Sequence, residues 1–397
     1  MNINMEPETC EQLLSQMVSF NTVSAPGSTS TSTEQPFGEY LDSVARNWGF
    51  KTHILPVEGR APNVLITHEV KLDGKWLMFD SHMDTVDVAG MTVDPFNAKT
   101  EDGKIFGRGT CDTKGTGAAM LWALREYAKE NTGSMNIAIL FTVDEEIGGR
   151  GAKAFANEQC QTLDWEPIGI IVGEPTMMTP IVACNGAVRW QIHTRGIAVH
   201  SSDPGRGRSA ISDMMRVVDA IETHYIPTIQ AEHPFTGKAA CSINIIRGGV
   251  QANVIPDLCT IDIDRRLVPG EDGKKILPVV EKILDDLRHQ HEGLQVEQAE
   301  PFIMNGLDPK SGKNFSANVR QILERCGYDS TPLGARYGTN GNAYGAVGIS
   351  CLILGPGNIA QAHMKDEWLS LEQLESGIRG YHALMAEPPK SWESSVN

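Results

Sequence analysis

The stretch Leu77–Val88, LMFDSHMDTVDV, decides how the rest of the chain is read. Its apolar start, Trp76–Phe79, has the character of a buried strand. Its second half sets His82 and Asp84 two residues apart, which in a strand puts both side chains on one face. A buried strand that ends in an imidazole and a carboxylate needs partners for both. One His-x-Asp alone is satisfied by a polar surface turn, so the decision rests on what the other strands deliver.

Working outward, several apolar runs end in the same kind of residue. Ile137–Val143, IAILFTV, leads into Asp144-Glu145-Glu146, and Ile168–Val172, IGIIV, leads into Glu174. SCLILGPGNIAQA leads into His363, and GRGTCDTKG offers Asp112 just before a helix-forming stretch, Gly115–Glu130. In open α/β sheets ligands bind outside the carboxyl ends of the strands. Helical patterns at Leu13–Phe20 and Gly38–Trp48 alternate with strand patterns such as Asn63–Thr67, which predicts an α/β layer with a largely parallel sheet.

The texture changes after about Cys184. AVRWQIHTRG, CSINIIRGG and CTIDIDRRLVPG alternate as strands do, and Ser209–His224 and Gly273–His289 read as helices. This predicts an α+β sandwich, one sheet backed by two helices. A glycine-rich loop, TPLGARYGTNGNAYG, then precedes another buried strand, and Leu371–Met385 closes as a helix. The expected organisation is one α/β domain, residues 1–183 and 297–397, interrupted by an inserted domain at 184–296.

Composition narrows the function. The 397 residues fit two domains, and 41% hydrophobic with 21% charged residues is an ordinary globular profile. A net charge of −16 disfavours nucleic acid and anionic membrane as partners. No apolar run approaches a bilayer span, and the N-terminal segment lacks the basic and apolar parts of a signal peptide, so a soluble cytoplasmic protein is expected. The 8 cysteines form no C-x-x-C pair, against a zinc ribbon or a disulfide scaffold, and Cys111 reads as a small buried filler. FGRGTCDTKGTG matches neither a Walker A loop nor G-x-G-x-x-G. The serines beside His200 lack a G-x-S-x-G elbow.

Gathering Asp84, Asp112, Glu145, Glu146 and Glu174 at one sheet edge has an electrostatic consequence. Two carboxylates about 5 Å apart repel by about 3 kcal/mol at an effective dielectric near 20. Such a cluster needs protons or cations, and two divalent ions balance it while leaving positive charge for a reacting oxygen. Mixed imidazole and carboxylate donors suit Zn²⁺, with Co²⁺ or Mn²⁺ as alternatives.

The ordered set SHMDTVD, DPFNAKTEDGKIFGRGTCDTKG, FTVDEE, VGEPT, HSSDPGRG and LGPGNIAQAHMKDEW resembles the di-zinc amidohydrolases of the peptidase M20 superfamily, from about Leu13 to His382. Within it the set is most like the acetylornithine deacetylase branch, and succinyl-diaminopimelate desuccinylases carry nearly the same motifs. The resemblance implies a zinc-hydrolase, phosphorylase/hydrolase-like catalytic domain with an inserted dimerisation or lid domain. It implies that His82 and Glu174 hold one metal, Glu146 and His363 the other, and Asp112 both. Asp84 then orients His82, Glu145 is the general base, and His200 stabilises the transition state, often across a homodimer. The implied reaction is hydrolysis of an N-acyl amino acid at its amide bond. Ser81 replaces a usual glycine; Glu174, where the family's aminopeptidases tend to carry aspartate, leans towards deacylases and carboxypeptidases.

A substrate α-carboxylate calls for a guanidinium. Arg265 and Arg266 are both candidates, and family spacing from Pro269-Gly270 favours Arg266. Asn253 and the loop Gly338, Thr339 and Asn340 are candidates for contacts to the substrate backbone.

Overall fold

The computed structural model describes residues 6–24, 33–130 and 133–392. The part of the N-terminal reading that concerns residues 1–5 lies outside the described residues. The chain divides into two units: residues 1–182, 309–333 and 339–397 form the first, and 183–308 with 334–338 the second.

The first unit is built on an eight-stranded sheet. Its strand order is Lys51–Leu55, Asn63–His68, Asn136–Thr142, Trp76–His82, Pro167–Val172, Cys351–Ile353, Ile181–Cys184 and Leu333–Ala335, the last two reaching into the second unit's residues. The four strands from Asn136–Thr142 to Cys351–Ile353 run parallel. Antiparallel strands flank them, so the sheet is mixed rather than largely parallel. The connection from Lys51–Leu55 to Asn63–His68 is too short for a parallel crossover and makes a hairpin instead.

Trp76–His82 and Asn136–Thr142 are buried at every position, as expected of central strands covered on both faces. The helix Lys114–Glu130 lies close against them. A Cβ on Gly117 would sit 2.7 Å from the Phe141 ring and 2.9 Å from Ser81 Oγ, so only glycine permits this approach. Ser370 caps the helix Leu371–Ala386 by accepting from Gln373 N at 3.0 Å. That helix lays Leu374, Tyr381, Leu384 and Met385 into the core shared with Phe79, Leu121 and Leu124.

The second unit is an antiparallel sheet ordered Ala240–Gly248, Leu258–Leu267, Gly186–Arg195, Gln295–Gln298, with Phe302–Met304 also paired to Gly186–Arg195. Leu258–Leu267 alternates strictly, turning Ile261 and Ile263 inward. There they meet Met214 and Val217 from the helix Ala210–Ala220 and Val280 and Leu284 from Ile276–Gln290. The expected return to the first domain is at 297, and the second unit runs on to Asp308: Phe302–Met304 still pairs in this sheet and Leu307 bridges Cys184. Among the described residues no helix is long and apolar enough to cross a membrane.

Candidate metal centre

The parallel strands end at Thr142, His82, Val172 and Ile353, and the residues that follow them carry the chemistry. His82, Asp112 and Glu146 offer donor atoms that lie within 4.8 Å of one another. His82 Nε2 is 3.0 Å from Asp112 Oδ1, and His363 Nε2 is 3.3 Å from Asp112 Oδ2 and 3.2 Å from Glu146 Oε2. Glu174 is buried two residues past its strand, in the field of Asp112 and Glu145.

Asp84 organises two sides of this cluster. Its main-chain oxygen accepts from His82 Nδ1 at 2.9 Å. Its side chain accepts from Glu145 N at 3.0 Å and Glu146 N at 3.1 Å, pinning the turn that carries both glutamates. Because a carbonyl only accepts, Nδ1 holds the proton of a neutral His82 and Nε2 presents a lone pair. That lone pair faces the lone pairs of Asp112 Oδ1. Two acceptors 3.0 Å apart require a proton or a cation between or beside them. Imidazole and carboxylate donors with a fixed outer partner on His82 are the chemistry a zinc-type ion takes, so the donor set fits such an ion.

The titration of the cluster expresses the same demand. Burial lifts the Glu145 carboxyl well above the usual carboxylate range, and Glu146, Asp84 and Asp112 add to it against the opposing pull of His82. Burial, then Asp112, does the same to Glu174, and burial raises Glu146. For His82 burial opposes the charged form, but hydrogen bonds to Asp112 and Asp84 outweigh it and lift the imidazole well above its ordinary value. Hydrogen bonds to Asp112 and Glu146 push His363 up to about 10. Asp112 moves down because the two imidazoles outweigh the effect of its burial.

Three supporting residues were not singled out from the sequence. Asp144, at φ 63°, accepts from Arg60 Nε at 2.7 Å and begins the turn of Glu145 and Glu146. Asp80, fully buried one turn of the pleat before His82, accepts from Thr142 Oγ1 at 3.1 Å and Asn340 Nδ2 at 2.9 Å. Glu367 sits buried beside the Asp112 loop. An acidic residue inside an apolar strand, as in LMFDSH, is the one signal that marks Asp80 in advance.

The substrate candidates separate. Arg265 lies on the buried face of its strand, on the same side as Ile261 and Ile263, and pairs with Glu271 at 2.6 Å. Arg266, one residue on, takes the open face beside Asp264 at 2.7 Å. The Asn340 amide is buried and donates to Asp80 and to Thr142 Oγ1 at 2.8 Å. Thr339 is also buried and closes its own turn, its hydroxyl accepting from Gly341 N and its N–H donating to Asn342 Oδ1. Gly338 is half-buried against Met304. His200 and Asn253 are exposed in the second unit, where His200 Nδ1 meets Ser202 Oγ at 2.7 Å and Asn253 O accepts from Ser201 N.

A two-unit α/β chain with an imidazole and carboxylate cluster at the carboxyl ends of its parallel strands is the build of a metallohydrolase. The model of Peptidase family M20/M25/M40 matches residues 78–387, and the chain belongs to that family of hydrolases. An acetylornithine deacetylase of Edwardsiella ictaluri is 31% identical over 307 residues, covering 75% of this chain and 76% of that protein. A probable carboxypeptidase of Trichophyton verrucosum is 28% identical over 379 residues, 89% of this chain and 76% of its own length. Among solved structures, an M20 family metallo-carboxypeptidase from Sulfolobus solfataricus superposes with a TM-score of 0.74 at 15% identity, covering 96% and 99% of the two chains.

Proposed function

We propose that this enzyme hydrolyses the amide bond of an N-acyl amino acid that keeps its free α-carboxylate, with N2-acetyl-L-ornithine as the leading substrate. The observation that carries the proposal is the convergence of His82, Asp112, Glu146 and His363, with Asp84 behind His82 and Glu145 on the same turn as Glu146. His82, Asp112, Glu146, Glu174 and His363 would hold two divalent cations, zinc first among them. When bound, the cations supply Lewis-acid polarisation and water activation.

The side chains do the rest. Glu145, outside the ligand set, takes a proton from the attacking water and returns it to the leaving amine. Asp84 keeps His82 in one tautomer through its main-chain oxygen and holds the Glu145 amide through its carboxylate, so a single residue orients ligand and base. His200 stabilises the oxyanion of the transition state, in a homodimer. Arg266 receives the substrate carboxylate as a fork, and Asn253 and Gly338 border the substrate backbone. The proposed location is the cytoplasm.

A carboxypeptidase reading is the second, favoured by the fungal relatives that align over 89% of the chain. Both reactions cleave an amide whose nitrogen belongs to an amino acid with a free carboxylate, so they call on the same residues. The test is a panel of N-acetyl, N-succinyl and N-formyl amino acids and dipeptides with a free C-terminal carboxylate, with zinc or cobalt restored. Preference for N-acetylornithine supports the deacetylase; preference for dipeptides moves the assignment to a carboxypeptidase. Glu145→Ala is expected to keep its metals and lose kcat by about 10²–10⁴-fold. Parental turnover in that variant would remove Glu145 from the mechanism.

A further inference from the structure

The residues assigned to the metal centre come from loops distant in sequence, and one buried ion pair joins three of those loops. Glu367 lies four residues past His363, and its side chain is 1% exposed. One oxygen accepts from Arg108 Nη1 at 2.8 Å and Gly109 N at 2.9 Å; the other accepts from Cys111 N at 2.8 Å and Asp112 N at 2.9 Å. A carboxylate has about four lone-pair sites, so these donors fill it. Glu367 therefore has no oxygen to give to a cation, although it is as close to the Asp112 loop as a ligand would be.

Arg108 extends the tie. Its Nε donates to Asp87 O at 3.0 Å and its Nη1 to Met364 O at 3.3 Å. The guanidinium thus touches the chain just after Asp84, the chain just after His363, and the carboxylate that grips the Asp112 amide. Gly107 N adds a main-chain bond to Glu367 O at 3.1 Å.

We propose that Arg108 and Glu367 are a positioning pair for the metal centre, fixing the loops of His82 and Asp84, of Asp112 and of His363 against one another before a cation binds. The inference rests on the metal-centre reading given above. Ordering loop residues costs conformational entropy, and contacts already made in the metal-free protein relieve cation binding of that cost. Four charge-assisted bonds on one carboxylate, away from water, are strong enough to do so. A purely structural pair would lower the stability of the chain and leave the affinity of the folded protein for metal unchanged.

The test titrates metal-free parent, Glu367→Gln and Arg108→Lys with Zn²⁺ against a chromophoric chelator, and records Co²⁺ absorption and the urea stability of each metal-free form. A carboxamide must turn its NH₂ towards two N–H donors, so Glu367→Gln is expected to bind about 10–100-fold more weakly, with an altered Co²⁺ spectrum. Arg108→Lys keeps the charge but cannot reach Asp87 O, Met364 O and Glu367 together, and a smaller loss is expected. If Glu367→Gln shows no cooperative unfolding, Arg108→Lys decides. Folded variants that bind as tightly as the parent overturn the positioning pair. A parent that binds no ion overturns instead the metal-centre reading on which it rests.

Discussion

The strand Trp76–His82 and the strand Ala240–Gly248 solve opposite problems. Every position of the first is buried, yet it ends in Asp80, Ser81 and His82; no position of the second is buried, although it carries Ile245 and Ile246. In the first, each polar group has a fixed partner: Asn340 and Thr142 for Asp80, Thr113 for Ser81, Asp84 and Asp112 for His82. In the second unit the open sheet face carries pairs of an exposed arginine on a half-buried aspartate, such as Arg189 with Asp264 and Arg247 with Asp262. A buried polar group left without its partner costs several times what an exposed one does. The first unit therefore holds its chemistry rigidly, and the second presents its charged residues to whatever approaches.

His200 offers the strongest way to break that comparison, because it pairs exposure with an expected large effect. It is exposed and, among the described residues, is held by its local turn with Ser202 and a bridge to Val254. If it stabilises an oxyanion, His200→Ala loses about 10²–10³-fold in kcat, with bound metal and urea stability at parental levels. A parallel loss of metal would place the effect in the centre itself. Sedimentation of the parent adds a second arm: a fully active monomer means that His200 acts within one chain or not at all.

Asp80 sharpens the contrast from the buried side. Burial holds its carboxyl up at about 6 against the ordinary 3.8, only partly offset by Asn340 and Thr142. The folded state thus keeps the Asp80 proton to higher pH than the unfolded chain does. Its contribution is fully present below about pH 4 and is lost as pH rises through about 6. A displacement of about two units corresponds to about 3 kcal/mol. In metal-free protein, the stability of the parent relative to Asp80→Asn should fall by up to that amount between about pH 4 and about pH 7. A difference that stays flat across that window would mean that the carboxyl titrates as an exposed group.

These two residues also mark what could be read from sequence. The strand ends carrying His82, Glu146 and Glu174 were legible because apolar runs and polar endings differ sharply in composition. The inward position of Arg265 was within reach, since Ile261, Ile263 and Leu267 fix the period and 265 falls on it. The tie between Asp80 and Asn340, 260 residues apart, was not, because periodicity carries no information about which loop meets which strand. The end of the second unit is set by the same kind of long-range pairing. Phe302–Met304 is only three residues long and is defined by its partner strand rather than by its own pattern.

The smallest effect is expected on the open sheet of the second unit. Arg195 Nη2 meets Glu297 at 2.8 Å, yet the two side chains are 56% and 54% exposed. Water and salt screen such a pair, and holding two long side chains together costs rotamer entropy, so its net contribution is about 0–1 kcal/mol. Arg195→Ala should shift the urea midpoint only slightly, and less at high salt than at low. Arg195 stands opposite Leu258 and Gln295 in the two flanking strands, so a small salt-independent remainder is expected from its aliphatic stem. A loss of several kcal/mol would show that this face is covered in solution. The contrast between a buried, prearranged centre and a solvated second sheet would then hold only for the isolated chain.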